Sequence, residues 1–167
     1  MFTLKEAKTE DDWIIAKHFY QLWLDNDIPP ESIKENWEET TLDFIKMARQ
    51  QLSYKAFVAE VNNHENHQNH ETNNQVVASV SCQIFSGLYP NAIKEEYRKY
   101  GYIWGVYVEP NYRRQGLATQ LTKTAVDYLK SLNCTRVVLN ASPTGKPVYS
   151  NLGFCESNLM HLDLFSE

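Results

Sequence analysis

The segment Val106-Tyr-Val-Glu-Pro-Asn-Tyr-Arg-Arg-Gln-Gly-Leu-Ala118 limits this 167-residue chain more than any other feature. β-Branched and aromatic residues lead into Pro110, which stops a strand because it fixes φ and has no N–H to give. Arg113, Arg114, Gln115 and Gly116 then open a helix whose first N–H groups lack partners inside the helix. Those donors and the positive end of the helix dipole make a seat for an anion, and Gly116 lets a phosphate approach the backbone. Cations in a first helical turn oppose the dipole, a cost that a seated anion offsets. The chain has neither G-x-x-x-x-G-K-[ST] nor G-x-G-x-x-G, so the common nucleoside-triphosphate and dinucleotide fingerprints are absent.

Charge supports a small polyanion rather than a nucleic acid. The chain carries a net charge of −5, yet Pro110 to Gly153 holds six basic residues (Arg113, Arg114, Lys123, Lys130, Arg136, Lys146) against one acid, Asp127. That stretch is therefore +5 and the remainder −10. An acidic whole argues against general nucleic-acid binding, which needs many phosphate contacts. A local basic island suits a compact anionic ligand. All six glycines lie at or beyond Gly87, which puts the need for unusual dihedrals in the second half.

The length fits one domain spanning residues 1–167 and a core large enough to need no metal or disulfide staple. No apolar run reaches the roughly 18–20 residues of a membrane span, and the start MFTLKEAKTEDD is too polar for a signal peptide. Cys82, Cys134 and Cys155 are an odd set without metal-ligand spacing and read as reduced thiols of a cytoplasmic protein.

Strands and helices alternate. Phe2–Lys8 reads as a strand, and Thr9 as the N-cap of a helix through Trp13, Ala16, Tyr20 and Trp23 that ends at Asp25-Asn26-Asp27. A second helical stretch runs from about Glu31 to Gln51, with Thr40-Thr41 as its weak point. Tyr54–Val61 and Gln75–Phe85 read as a hairpin. A short helix at Ala92–Lys99 and a strand at Tyr102–Glu109 precede a helix from about Gln115 to Leu132, with Leu117, Leu121, Val126 and Leu129 at helical spacing. Thr135–Ala141 is a β-branched strand, Lys146–Leu152 a short helix, and Met160, Leu162 and Leu164 alternate as a last strand. This order predicts one α/β (α+β) unit. The Asn/His/Gln-rich connection Asn62–Asn74, with His64, His67 and His70, reads as a solvated loop, since no Cys or carboxylate pair completes a metal set.

Arg113-Arg114-Gln115-Gly116-Leu117-Ala118 matches the R/Q-x-x-G-x-G/A signature of the GCN5-related N-acetyltransferases (GNAT). About 30 residues on, Tyr149-Ser-Asn-Leu-Gly-Phe154 is similar to that family's second landmark, a Tyr ahead of an L-G-F turn. The resemblance covers essentially the whole chain. It implies a mixed, mostly antiparallel central sheet flanked by helices and splayed at the cofactor site, with acetyl-coenzyme A (acetyl-CoA) as co-substrate and no metal. The pyrophosphate would meet the backbone amides of Arg114, Gln115, Gly116, Leu117, Ala118 and Thr119. The pantetheine arm would pair with backbone of Val106 and Val108, as an extended ligand adds to a strand edge. Arg113 and Asn140 complete the expected cofactor-binding set.

The chemistry so implied is attack of a neutral amine on a thioester within a ternary complex. It needs a proton taken from the amine, a donor for the oxyanion and a proton for the leaving thiolate. Tyr149 stands at the family position of that last proton donor, and a phenol of pKa about 10 is protonated at neutral pH. The resemblance puts the oxyanion donor at a backbone N–H near Val108. Asn140 occupies the position where some members carry a glutamate base and cannot serve as one. Glu109, Glu95 and Glu96 remain as bases, alongside a water relay or an amine that arrives neutral. The resemblance implies that the usual Asn contact to the cofactor in this region is either missing or replaced by Ser142 or Lys146.

The acidic balance outside the basic island favours a cationic acceptor, either a small-molecule amine or a peptide amine. Tyr89, Tyr97, Tyr100, Tyr102 and Trp104 either wall its pocket through cation–π contacts or pack the core. No nucleic acid and no membrane enters this reading, and a homodimer through sheet or helix edges would be unsurprising. The alternative in another functional class is a module that binds acyl-CoA without turnover.

Overall fold

A computed structural model describes residues 2–62, 74–86, 93–160, 162 and 164. The elements, in order, are β1 (Phe2–Glu6), α1 (Asp12–Asp25), α2 (Trp37–Gln51), β2 (Lys55–Asn62), β3 (Asn74–Ile84), β4 (Tyr100–Val108), α3 (Leu117–Ser131), β5 (Arg136–Leu139) and α4 (Lys146–Asn151). The sheet runs β1-β2-β3-β4-β5; all neighbours are antiparallel except β4 and β5, which are parallel. This is the mixed, mostly antiparallel sheet that the resemblance implies.

Both faces of the sheet are covered. Along β2, Ala56 and Val58 face α1 and α2, where Ile14, Ile15, Ile45 and Ala48 are buried. The alternate residues Phe57 and Ala59 face α3, whose buried ridge is Leu117, Leu121, Ala125 and Leu129. This ridge repeats every four residues, so Ala125 occupies the place expected of Val126, which is only partly buried.

Several boundaries move, each for a local reason. Thr9 does not cap α1. It opens a 3-10 turn, Thr9–Asp11, closed by the Lys8 N–H donating to the Asp11 carboxylate at 2.9 Å. Asp12 then begins α1 with its carboxylate committed to Arg49 of α2, which donates from Nε at 3.2 Å and from Nη2. Thr40-Thr41 leaves α2 intact because the Thr41 hydroxyl donates to the Trp37 carbonyl one turn back, at 2.7 Å. The break falls earlier, between the 3-10 turn Pro30–Ser32 and Trp37. Residues 93–99 form a turn instead of a helix, with Ala92 outside the described residues. The expected last strand is not formed at its described residues, and Met160 and Leu162 are 90% and 81% exposed. Alternation gives a strand an apolar face but not a partner edge, and Gly153–Asn158 instead lines a groove beside β5 and α4. His64, His67 and His70 lie outside the described residues.

Two features of β4 position everything that follows. Its parallel pairing with β5 runs only from Tyr100 opposite Arg136 to Ile103 opposite Leu139. Beyond that, Trp104–Val108 continues along β3 alone, so the sheet is splayed after Ile103. A bulge lies in the same stretch, because Ser79 pairs with Tyr107 while Ser81 pairs with Trp104. Gly105 takes it up with φ +63°, a left-handed conformation that costs a side-chain-bearing residue about 1 kcal/mol or more. The extra residue turns Trp104 and Tyr107 to the same face, toward α1.

His18 of α1 is sealed against that face. It is 1% exposed, its Nδ1 lies 2.9 Å from the Ser79 hydroxyl, and its ring packs on Tyr107 at 4.8 Å. Burial, with Lys17 adding, lowers its pKa to about 4. The imidazole is therefore neutral at pH 7, and the Glu109 carboxylate 3.6 Å from Nε2 is a neighbour rather than an ion-pair partner. A base whose folded pKa is depressed stabilises nothing by protonation, so the folded state loses ground as pH falls. The loss should begin near the unfolded value of about 6.5 and reach on the order of 3 kcal/mol by the folded pKa and below. In urea unfolding from pH 7 to 4, His18→Gln should lack this part of the pH slope. An unchanged slope in that variant would assign the acid sensitivity to other groups.

Candidate functional site

The β4–α3 connection carries the motif. Pro110–Tyr112 form a 3-10 turn, Arg113 is extended, Arg114 is left-handed at φ +64° and Gly116 is left-handed at φ +80°. α3 begins at Leu117 rather than at about Gln115, with Gly116 as its N-cap, and the first helical bond runs from the Gln120 N–H to the Gly116 carbonyl at 3.0 Å. The amides of Leu117, Ala118 and Thr119 thus precede any helical partner. Left-handed residues that turn successive N–H groups to one side build an anion-binding concavity at the positive end of α3. Arg114, Gln115, Gly116 and Thr119 are exposed and Ala118 is half-buried, whereas the Leu117 side chain is 1% exposed in the core and leaves only its backbone to a ligand. This cradle fits a pyrophosphate.

The open edge of β4 lies beside it. The Glu109 N–H donates to the Val77 carbonyl of β3 at 2.9 Å, so alternation turns the backbone groups of Val108 and Val106 to the splayed side. Their side chains pack on the α3 face of the sheet. The Val108 carbonyl already accepts from Arg113 Nε at 2.9 Å. Arg113 also donates from Nη2 to the Asp25 carboxylate at the end of α1. Its charge is therefore answered inside the protein, and Arg114 is left as the cation that opposes the α3 dipole.

Next to the splay lies a cavity of about 910 Å³ between α1, α2 and β4. Phe19, Trp23, Phe44 and Trp104 form its aromatic wall, with Phe19 and Phe44 edge-on to Trp104 at 5.1 and 5.8 Å. Asp25 and Asp27 add carboxylates, and no Lys or Arg appears among its described lining residues. The segments outside the described residues contain no Lys or Arg either. Of the aromatics expected to wall a pocket, Tyr102 and Trp104 line this one. Tyr97 is 74% exposed, Tyr100 carries Arg98 and Arg136 over its ring at 5.0 and 5.1 Å, and Tyr89 lies outside the described residues. Asn140, just past β5, also lines the cavity and donates from Nδ2 to the Tyr102 hydroxyl at 3.3 Å.

Tyr149 sits on α4, half-buried, with its pKa raised by burial. The L-G-F turn folds back onto it, the Phe154 N–H donating to the Tyr149 carbonyl at 3.0 Å and the two rings meeting edge-on at 6.0 Å. It lines the groove beside β5 rather than the aromatic cavity, and the two spaces share Ala141, two residues past β5. Glu95 is exposed and pairs with Lys99 at 3.2 Å, Glu96 is exposed, and Glu109 faces His18, so none of the three expected bases lines the cavity. Ser142 caps its own turn, accepting from the Gly145 N–H at 3.2 Å, and Lys146 pairs with Glu156. The carboxylates that do reach the cavity, Asp25 and Asp27, read in the sequence only as a helix end. Nothing in their spacing marks them out, because α1 and β4 meet only in the folded protein.

Similarities to known proteins bear on this arrangement. A glucosamine 6-phosphate N-acetyltransferase of Trypanosoma brucei brucei is 37% identical over 68 residues, which is 40% of this chain and 46% of that enzyme. A protein of Clostridium acetobutylicum described as a predicted acetyltransferase, solved with acetyl-CoA, is 26% identical with a TM-score of 0.74 over 98% of this chain and 97% of that one. A GCN5-related N-acetyltransferase of Ralstonia eutropha shares the fold at 16% identity, with a TM-score of 0.74 over 98% and 99% of the two chains. The model of the acetyltransferase (GNAT) family matches residues 16–154, from the middle of α1 through the L-G-F turn, and the chain belongs to that family.

Proposed function

We propose that this protein transfers an acetyl group from acetyl-CoA to a primary amine of a cationic acceptor, by direct attack in a ternary complex. The observation that carries the reading is the cradle of free amides around Gly116 set beside the open edge of β4, with a separate aromatic cavity next to the splay. Acetyl-CoA supplies the activated thioester. Backbone groups of Leu117, Ala118 and Thr119 hold its pyrophosphate, and Val106 and Val108 align its extended arm. Tyr149 holds a proton at its hydroxyl for the departing sulfur; a phenol is protonated at neutral pH, and burial raises its pKa further.

The acceptor lies in the aromatic cavity. An ammonium or its attached carbons gains from the rings of Trp23, Phe19, Phe44 and Trp104, and from the carboxylate of Asp27, Asp25 being already paired with Arg113. Glucosamine 6-phosphate is a second reading, carried by the similarity to the trypanosomal enzyme. Its phosphate would meet the Asp27 carboxylate and no cation among the described lining residues, Asp25 being paired with Arg113, which disfavours it by like-charge repulsion. Release of free thiol with a panel of polyamines, amino sugars, lysine and peptide N-termini tests both. Unphosphorylated amines should exceed glucosamine 6-phosphate in kcat/KM by roughly tenfold or more, the scale of one unpaired charge at a binding site. The reverse order would return the acceptor to the sugar phosphate. Thermal stabilisation by acetyl-CoA with no turnover across the panel would favour a binding module instead.

A further inference from the structure

Asp25 is the last residue of α1, where a carboxylate faces the negative end of the helix dipole. Arg113 reaches it from the loop before α3 and offsets that cost. The Arg113 guanidinium takes Asp25 Oδ2 at 2.5 Å and the Val108 carbonyl at 2.9 Å, while Gln21 Nε2 lies 3.3 Å from Asp25 Oδ1. Its carbon also lies 5.7 Å from the centre of the Tyr107 ring. Arg113 is therefore held on three sides, immediately before Arg114, the one non-glycine residue of the loop in the left-handed region. A side chain so fixed restricts the backbone that must hold that conformation.

We infer that Asp25 is a positioning residue for the cofactor loop, fixing through Arg113 the backbone that receives the pyrophosphate while also lining the acceptor cavity. The inference rests on the proposed acetyl-CoA site. It gives the two sites a shared wall. Removing the Asp25 charge has two opposed effects on an anionic ligand. Loss of a nearby negative charge favours binding, and loss of the anchor disfavours it. Both partners are partly exposed, at 44% for Arg113 and 30% for Asp25, so the first effect is screened by salt while the second is not.

The test is calorimetric titration of acetyl-CoA without any acceptor, in about 0.5 M salt, where the Debye length is about 4 Å. Asp25→Asn should weaken binding roughly tenfold, Arg113→Gln should weaken it at least as much, and the double variant should be no worse than Arg113→Gln alone. Asp25→Glu, which keeps the charge, should recover part of the affinity. A role confined to the acceptor would leave this two-component titration unchanged. Wild-type affinity in folded Asp25→Asn, or effects of the two substitutions that simply add, would overturn the inference and leave the cofactor site standing. Absence of binding by the unaltered protein would overturn the site and the inference together.

Discussion

Gly116→Glu is expected to abolish acetyl-CoA binding while leaving a folded protein. Two effects act in the same direction. Gly116 is at φ +80°, so any side chain there costs about 1–2 kcal/mol to keep the loop as it is. A carboxylate at the N-cap also places negative charge where the free amides of α3 await an anion. Space is not the obstacle, since a Cβ at Gly116 would come no closer than 3.7 Å to the Gln120 side chain. Gly116→Ala therefore isolates the backbone term and should weaken binding by roughly tenfold, the equivalent of about 1.4 kcal/mol. The Glu variant should lose roughly a hundredfold or more, as the repulsion adds to the strain. Calorimetric titration beside a melting curve separates lost binding from lost fold. Unchanged affinity in a folded Glu variant would remove the cradle from the cofactor site.

Tyr149→Phe should lower turnover by roughly 10²-fold, the low end of what a positioned acid contributes. The ring and its edge-on contact with Phe154 survive the change, and only the hydroxyl is lost. Acetyl-CoA affinity should therefore change little, because the proposed contacts to the cofactor are backbone groups on β4 and α3. The pH profile carries a further sign. Burial raises the Tyr149 pKa above its ordinary 10, so an alkaline limb owed to it begins only above that pH and should vanish in the Phe variant. A tyrosine that served packing alone would show a lower melting temperature with turnover per folded molecule nearly intact. Full activity in the folded variant would leave water as the proton source.

The Gly116 substitution acts on something that the sequence displays by itself. A strand stopped by Pro110, followed by basic residues and a glycine at a helix start, is local chemistry, and local dihedral preferences and unpaired amides make it legible along the chain. The same is true of the β2–β3 hairpin and of most of the ridge on α3, where periodicity of two or of four places the buried side chains. These are the parts of the molecule that neighbours along the chain decide.

The rest depended on partners far away in sequence. Arg113 read as a cation awaiting an anion, but the fold brings Asp25 to it from 88 residues away, and its charge is answered there. Glu109 read as a base, but the bulge at Gly105 turns that stretch of β4 toward α1, and the carboxylate faces buried His18. Asn140 is tied to the Tyr102 hydroxyl across the two parallel strands. Met160, Leu162 and Leu164 alternate as a strand should, yet no ladder partner meets Met160 or Leu162, because periodicity selects a face while only tertiary packing supplies an edge. Sequence alone determined where the free amides of a helix start lie and most of the residues that build the core. Tertiary structure decided which charges remain free to act, since a side chain's electrostatic partner is set by distance in space and not by spacing along the chain.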